Sequence, residues 1–362
     1  ISNNNNVSAV IIDADFTVSN SGTPINPTYG NVTNAMPDGY YNPIDGLAGD
    51  ALIQGLQDII AEEGVVRAHT YEDVKTIIEE TDQNPENSNQ VWLLYNEIPR
   101  GKYLYQTGSS GTGKWNREHT FPRSRGGFFS IEEDDMPTGI NQWWPTNADS
   151  TRHANSDVHG LRAADALENS LRGNQHYGQY TGPTGNTGSF KGDVARSIFF
   201  LAIRYNDLNV VDGFPDVDGE LGDLATLLSW HQQDPPDDFE MNRNNIIYDW
   251  QKNRNPFIDY PDLVDYIWGN NFGNVWNLPL SVTDNFLDDI VVFPNPTINN
   301  QINIETQNKN PLNIKILDVN GRVVFKKDNF TERQLLFDLN PGLYLLKISD
   351  NNSHILKKLL VK

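Results

Sequence analysis

The feature that most limits the fold of this chain is a change of hydrophobic period near Val292. Before it, apolar residues recur at helical spacing, as in Leu47, Leu52, Ile53, Leu56, Ile59 and Ile60. After it they alternate in short runs: Ile302-Ile304, Leu312-Leu317, Val323-Phe325, Leu335-Leu339, Leu343-Ile348 and Ile355-Val361, with Asn, Gly, Asp and Pro between them. Charge changes at the same place. From Phe293 onward there are 10 basic and 6 acidic residues, net +4, whereas the preceding chain has 17 basic and 42 acidic, net -25. Two periods and two charge balances imply two domains. The expected fold class is α+β: a mostly helical body followed by a small all-β sandwich. The divisions fall at residues 1–35, a leader without an assigned role, 36–275, the body, 276–291, a linker, and 292–362, the sandwich.

Within the body, Thr70 to Asp73 reads as a helix start, with Val74, Ile77 and Ile78 as the apolar side. Val91-Tyr95 reads as a strand and Gly192-Tyr205 as a strong core helix. Helices are also expected at Leu221-Gln232 and Asp238-Gln251, parted by Asp234-Pro235-Pro236-Asp237, and at Leu263-Trp268. Val7-Phe16 could form a strand. The formal charge of -21 predicts solubility and argues against broad adhesion to polyanions, so any polyanion site must make its positive potential locally. There is no cysteine and hence no disulfide framework. No apolar run reaches membrane-span length, and no signal-like segment opens at Ile1, so any signal peptide is expected to have been removed or omitted.

Two stretches carry chemistry. In Trp115-Asn116-Arg117-Glu118-His119-Thr120-Phe121-Pro122-Arg123-Ser124, Glu118 offers a hard oxygen ligand and His119 a base near neutral pH, while Arg117, Arg123 and Arg125 add fixed charge suited to phosphate. The plain alternative is a solvated surface pair. In the second stretch, Asp157-Arg162 reads as a short strand entering a turn, followed by helical turns stopped at Gly173 and Asn174. Asn169 and Arg172 are three apart and share a helix face, with ordinary helix polarity as the alternative.

Together the stretches resemble the endonuclease I family of bacterial extracellular nucleases with a ββα-metal active site. The matching residues are Asn116, Arg117, Glu118, His119 and Pro122, then Asp157, His159, Leu161, Asn169, Arg172 and Asn174. Ala164 and Glu168 stand where the family often has proline and valine. The resemblance extends over roughly Tyr40 to Gly269, through Trp230-His231, Asn242-Arg243-Asn244 and Asn253 to Pro261. Phe293-Pro294-Asn295-Pro296, Asp318-Val319-Asn320-Gly321-Arg322 and Pro341-Gly342-Leu343-Tyr344 resemble the carboxy-terminal sorting domain of the type IX secretion system.

The resemblance and the residue chemistry imply a metal-dependent endonuclease acting on DNA and RNA with little sequence preference, leaving 5'-phosphate ends. Glu118 and Asn169 would hold one cation, Mg2+ first, with Mn2+ or Ca2+ as alternatives. His119 would be the base, Arg172 and Arg117 the phosphate contacts, and His159, Asp157 and Asn174 supporting residues. The partners are nucleic acid and the secretion machinery. The location is secreted or cell-surface, reached through the periplasm and outer membrane, with the protein treated as a monomer. Rival readings are a phosphoesterase for small substrates and a non-catalytic nucleic-acid-binding surface protein.

The remaining motifs favour plain readings. Gly101-Gly113 lacks the features of a phosphate-binding P-loop. Glu132, Glu133, Asp134 and Asp135 read as solvated loop, with a second cation site as the alternative. Trp143-Trp144-Pro145 reads as packing, with base stacking as the alternative. Asp216, Asp218 and Glu220 alternate like calcium ligands, but the EF-hand loop is absent. Arg243 and Arg254 read as a buried network, with DNA contact as the alternative.

Overall fold

Caps and apolar spacing set the helix boundaries of the first unit. The computed structural model describes residues 27–30, 32–130, 136, 139, 142–279, 290–306, 311–349 and 354–362. The expected Val7-Phe16 strand and the Glu132-Asp135 cluster lie outside these residues. The chain divides into two compact units, Ile1–Leu278 and Pro279–Lys362.

In the first unit, α1 (Gly49–Ile60) buries Leu52, Leu56 and Ile60 on one face. After the short β1 (Arg67–Ala68) comes α2 (Tyr71–Thr81), where Thr70 Oγ1 accepts the Asp73 amide at 3.0 Å. The strands β2 (Gln90–Leu93) and β3 (Ile98–Gly101) form an antiparallel hairpin. Then follow β4 (Trp115–His119), α3 (Arg123–Gly126) and β5 (Trp144–Pro145), which pairs with β1. Next come β6 (Leu161–Asp165) and α4 (Ala166–Arg172). Strand β6 runs antiparallel to β4 and sets Arg162 opposite Glu118 and Leu161 opposite His119. The remainder is α5 (Phe190–Arg204), β7 (Asn209–Val210), β8 (Glu220–Leu221), α6 (Leu224–Gln233), α7 (Asp238–Gln251), α8 (Pro256–Asp259) and α9 (Leu263–Trp268).

Two expectations need correction here. Asp157-Arg162 is not a strand. The Asp157 carboxylate accepts the His159 amide at 3.0 Å and holds Val158–Gly160 in a 3-10 turn. The strand starts at Leu161, and the helix waits for Asp165, whose Oδ1 accepts the Leu167 and Glu168 amides. Likewise Leu221 pairs in β8, and α6 begins after Asp223, which caps the Thr226 amide.

Helix α5 is buried on nearly every side and organises the main core with Leu52, Leu56, Leu227, Leu263 and Ile267. A separate cluster of Val74, Ile77, Val91, Trp115, Leu161 and Ile247 backs β4 and β6. The site strands are also held by buried ion pairs. Asp82 accepts the Ala163 amide at 2.7 Å, Arg243 Nε at 2.8 Å and Arg162 Nε at 3.3 Å. Arg162 reaches on to Asp193 at 2.9 Å. Removing one member of such a pair costs about 3–5 kcal/mol, because the other charge stays buried. Part of the leader packs on this body. Tyr29 donates to the Gln83 carbonyl at 2.7 Å, the Gly30 amide donates to Asp238 at 2.8 Å, and Val32 joins Met241 and Ile258.

The second unit has β9 (Val291–Phe293), β10 (Gln301–Glu305), β11 (Leu312–Leu317), β12 (Val323–Phe330), β13 (Gln334–Leu336), β14 (Gly342–Ser349) and β15 (His354–Val361). They form antiparallel sheets ordered β13-β10-β9 and β12-β11-β14-β15. Alternation turns Ile302 and Ile304 of one sheet, and Ile314, Ile316, Leu346 and Ile348 of the other, into one core. Among the described residues no helix is long and apolar enough to cross a membrane.

Candidate active site

The paired strands β4 and β6, followed directly by α4, bring the two chemical stretches together. Glu118, on the face of β4 toward α4, is 2% exposed. Its Oε1 accepts from the Tyr95 hydroxyl at 2.7 Å and lies 3.4 Å from Arg172 Nη1. Its Oε2 has no hydrogen-bond partner among the described residues and is not sealed from solvent. Burial raises the carboxyl above its ordinary range, opposed by the Arg172 charge and the Tyr95 hydrogen bond.

Asn169 is arranged in the same divided way. Its Nδ2 donates to Asn116 Oδ1 at 2.9 Å and to the Arg117 carbonyl at 3.2 Å. These bonds fix the amide and leave Oδ1 as the open atom. Two hard oxygens, each oriented by a bond to its neighbouring atom, fit a cation that takes oxygen ligands and retains water, as Mg2+ does.

His119 follows Glu118 in β4 and has a different set of neighbours. Its Nε2 lies 2.9 Å from the Asn155 carbonyl, so Nε2 carries the proton and Nδ1 keeps its lone pair. The ring stacks on Tyr71 at 5.5 Å and meets Phe128 at 5.9 Å. Burial, with the charges of Arg123, Arg117 and Arg172, pushes its pKa down to about 3. The imidazole is therefore neutral, as a proton acceptor must be.

The other predicted residues are placed as follows. Arg172 is 1% exposed and holds the carbonyls of Thr120 at 2.7 Å and His119 at 3.2 Å, with its guanidinium 4.8 Å over Tyr177. In this arrangement it braces the strand end and Glu118 and does not face solvent. Arg117 lies on the opposite face of β4, bound to the Tyr71 carbonyl and to Glu72 at 2.8 Å. Asp157 and His159 are buried. Asp157 takes Gln251 on Oδ1 and Tyr205 on Oδ2, and His159 packs 4.1 Å from Phe200 with Nε2 on the Asn253 carbonyl. Both stabilise the turn before β6, and no described bond joins them to Glu118 or Asn169. Asn174 is exposed beyond α4, and its carbonyl accepts from Arg125.

Sequence reading missed Tyr95, Tyr177, Tyr71 and Asn155, which orient Glu118 and His119. Nothing local connects them to the motif; only Tyr95, the polar-tipped end of the Val91-Tyr95 run, offered a signal. Beyond α3 an open cleft of about 510 Å³ is lined by Phe128, Phe129, Thr151, Arg152 and Asp218.

The Endonuclease I family model matches residues 48–189 and 186–262, and a secretion system C-terminal sorting domain matches 291–362. The chain is similar to an extracellular ribonuclease of Bacillus subtilis (strain 168), 35% identical over 260 residues, spanning 65% of this chain and 80% of the relative. It is also similar to an extracellular ribonuclease of Bacillus amyloliquefaciens, 35% identical over 262 residues with the same coverage, 65% and 80%. These matches define a secreted nuclease carrying a type IX sorting signal. The chain belongs to the endonuclease I family.

Proposed function

We propose that this chain is a metal-dependent endonuclease that hydrolyses phosphodiesters of DNA and RNA and leaves 5'-phosphate ends. The observation that carries the reading is the divided bonding of Glu118 and Asn169 beside a histidine of fixed tautomer. Glu118 Oε2 and Asn169 Oδ1 are the open oxygens that would hold Mg2+. When bound, the cation supplies Lewis acidity toward the phosphate and the leaving 3'-oxygen. His119 Nδ1 takes the proton of the attacking water, while the Asn155 carbonyl, bonded to Nε2–H, holds the ring in place. Arg172 acts by holding Glu118 and the strand end. Tyr95 directs the Glu118 carboxylate. The strand pair and α4 are the ββα element of this reading, within a catalytic domain that runs to Leu278, past the expected boundary at 275 because Trp276 is buried in its core, and a sorting domain whose first strand starts at Val291.

Little base preference is expected, since phosphate contacts carry no sequence information. The names of both relatives favour RNA as one substrate. The test is nicking of supercoiled plasmid and cleavage of a single-stranded RNA, each with Mg2+, with EDTA, and with Mg2+ restored. Turnover that survives EDTA would overturn the metal assignment. Turnover of bis(4-nitrophenyl) phosphate with neither polymer cleaved would favour the small-substrate phosphoesterase.

A further inference from the structure

Four arginines surround the strand end, and they differ in what holds them. Arg117 is taken up by the Tyr71 carbonyl and Glu72, Arg172 by the Thr120 and His119 carbonyls and Glu118, and Arg125 by the carbonyls of Asn174 and Pro215. Arg123 is different. Both its Nε and its Nη2 are buried without a hydrogen-bond partner, whereas Arg117 and Arg172 each leave only Nε so. Buried donors without partners are uncommon in folded proteins and call for an occupant.

The Nε–Nη2 pair is one edge of the guanidinium, with two parallel donors. This chain shows twice what that edge binds. Arg254 presents it to Asp259, with Nε at 2.8 Å and Nη2 at 2.7 Å, and Arg196 presents it to both oxygens of Glu240. In each case the occupant is an anion, and both of its oxygens are engaged. At Arg123 the same edge has no anion among the described residues.

Its surroundings say which anion fits. The guanidinium lies 4.3 Å over the Tyr71 ring, on which His119 also stacks. Pro122 and the first turn of α3 place it directly after the β4 motif. We propose that the Nε–Nη2 edge of Arg123, covered in the free protein but carried on a half-buried side chain, opens to grip two non-bridging oxygens of the scissile phosphodiester, next to the base. This rests on the nuclease reading of the site and assigns to Arg123 the phosphate contact that sequence alone gave to Arg172 and Arg117. A fork-shaped cation is suited to two phosphate oxygens in a way that a point charge is not.

The test compares Arg123→Met, which keeps an apolar stem over Tyr71, with Arg123→Lys, which keeps the charge and loses the fork. Each is assayed on plasmid DNA and on bis(4-nitrophenyl) phosphate, which has a single phosphodiester, with thermal unfolding as the fold control. The expected result is a fall in kcat/KM of roughly 10²-fold in Arg123→Met on both substrates, with Arg123→Lys between it and the wild type. Guanidinium ion added to Arg123→Met should restore part of the rate. Wild-type rates in Arg123→Lys, whether or not Arg123→Met folds, would overturn the proposal and leave water as the occupant of the edge. Loss on DNA alone would overturn the assignment to the scissile phosphate. An inactive wild type in Mg2+ would instead refute the nuclease reading itself.

Discussion

The Tyr95 hydroxyl donates to Glu118 Oε1 over 2.7 Å, and the Tyr177 hydroxyl stands 3.0 Å behind it. This short bond decides which carboxylate oxygen is tied down. Tyr95→Phe leaves Arg172 3.4 Å from the same oxygen and removes the hydroxyl alone. It is expected to cost about 1–2 kcal/mol of stability and to raise the Mg2+ concentration for half-maximal activity by roughly tenfold or more. Chemical denaturation and a Mg2+ titration measure the two effects. An unchanged titration would make Tyr95 a structural residue only.

His119→Ala is expected to lower turnover by about 10²-fold or more while DNA binding persists. Nicking assays at neutral pH, with binding measured in Ca2+ or without metal, separate the two. Near-normal nicking would move the base elsewhere.

Glu118→Gln and Asn169→Ala each remove or weaken a proposed oxygen ligand. Both should shift the Mg2+ dependence to higher concentration. Asn169→Ala also frees Asn116, so Asn116→Ala serves as the control for that lost hydrogen bond. A Mg2+ curve shifted as far by Asn116→Ala as by Asn169→Ala would argue that Asn169 acts only by bracing β4.

Stability should fall in acid because of histidines far from the proposed metal ligands. Burial lowers His159 to about 4, and burial with the Arg196 charge lowers His231 to about 3, both from 6.5. Below pH about 6.5 the unfolded chain binds protons that the folded chain refuses, so stability is full above that pH and declines as pH drops. Each fully linked histidine contributes about 1.4 kcal/mol per pH unit, less for the partly exposed His231. Melting temperatures at pH 7.5, 6.5 and 5.5 should decrease in that order, and His231→Asn should flatten the trend. A melting temperature constant over this range would contradict the linkage.

Deleting Phe293 to Lys362 should leave nuclease activity intact in vitro and stop secretion in the native host. The tail closes its own core around Ile302, Ile314 and Leu346, and every proposed catalytic residue lies before it. The competing idea is that its basic charge supplies DNA affinity. Plasmid binding by the full and truncated chains at roughly 50 and 200 mM salt distinguishes them, since lost phosphate contacts flatten the salt slope.

What could be read in the sequence follows from range. Alternation located Leu312–Leu317 without error, because a strand with one buried face is a local pattern, whereas Val323–Phe330, exposed along most of its length, was marked only by its first three residues. The helix after Thr70 was legible from its cap. The turn at Val158–Gly160 was not, because Asp157 forms it through a side chain to its own backbone, which an apolar pattern does not report. Glu118, His119 and Asn169 stood out by type and spacing. Their open atoms did not, because Tyr95, Asn155 and Asn116 decide those, and Tyr95 and Asn155 come from separate segments of the chain. Arg172 and Arg117 looked like phosphate contacts for the same reason: sequence counts charges but does not show which are already bound.

Asp82 closes loops of 80 residues to Arg162 and 161 to Arg243, and its carboxylate also holds the Ala163 amide of β6. The second strand of the site is thus fastened by contacts that close only when the beginning, middle and end of the first unit have met. Contacts of such span form late, since the loop entropy comes before the gain. A chain still emerging, or cut before α7, holds the whole Glu118-His119 motif in sequence yet lacks the anchor of its partner strand. During refolding, nuclease activity should therefore return with the slowest structural phase and not with the early helix signal.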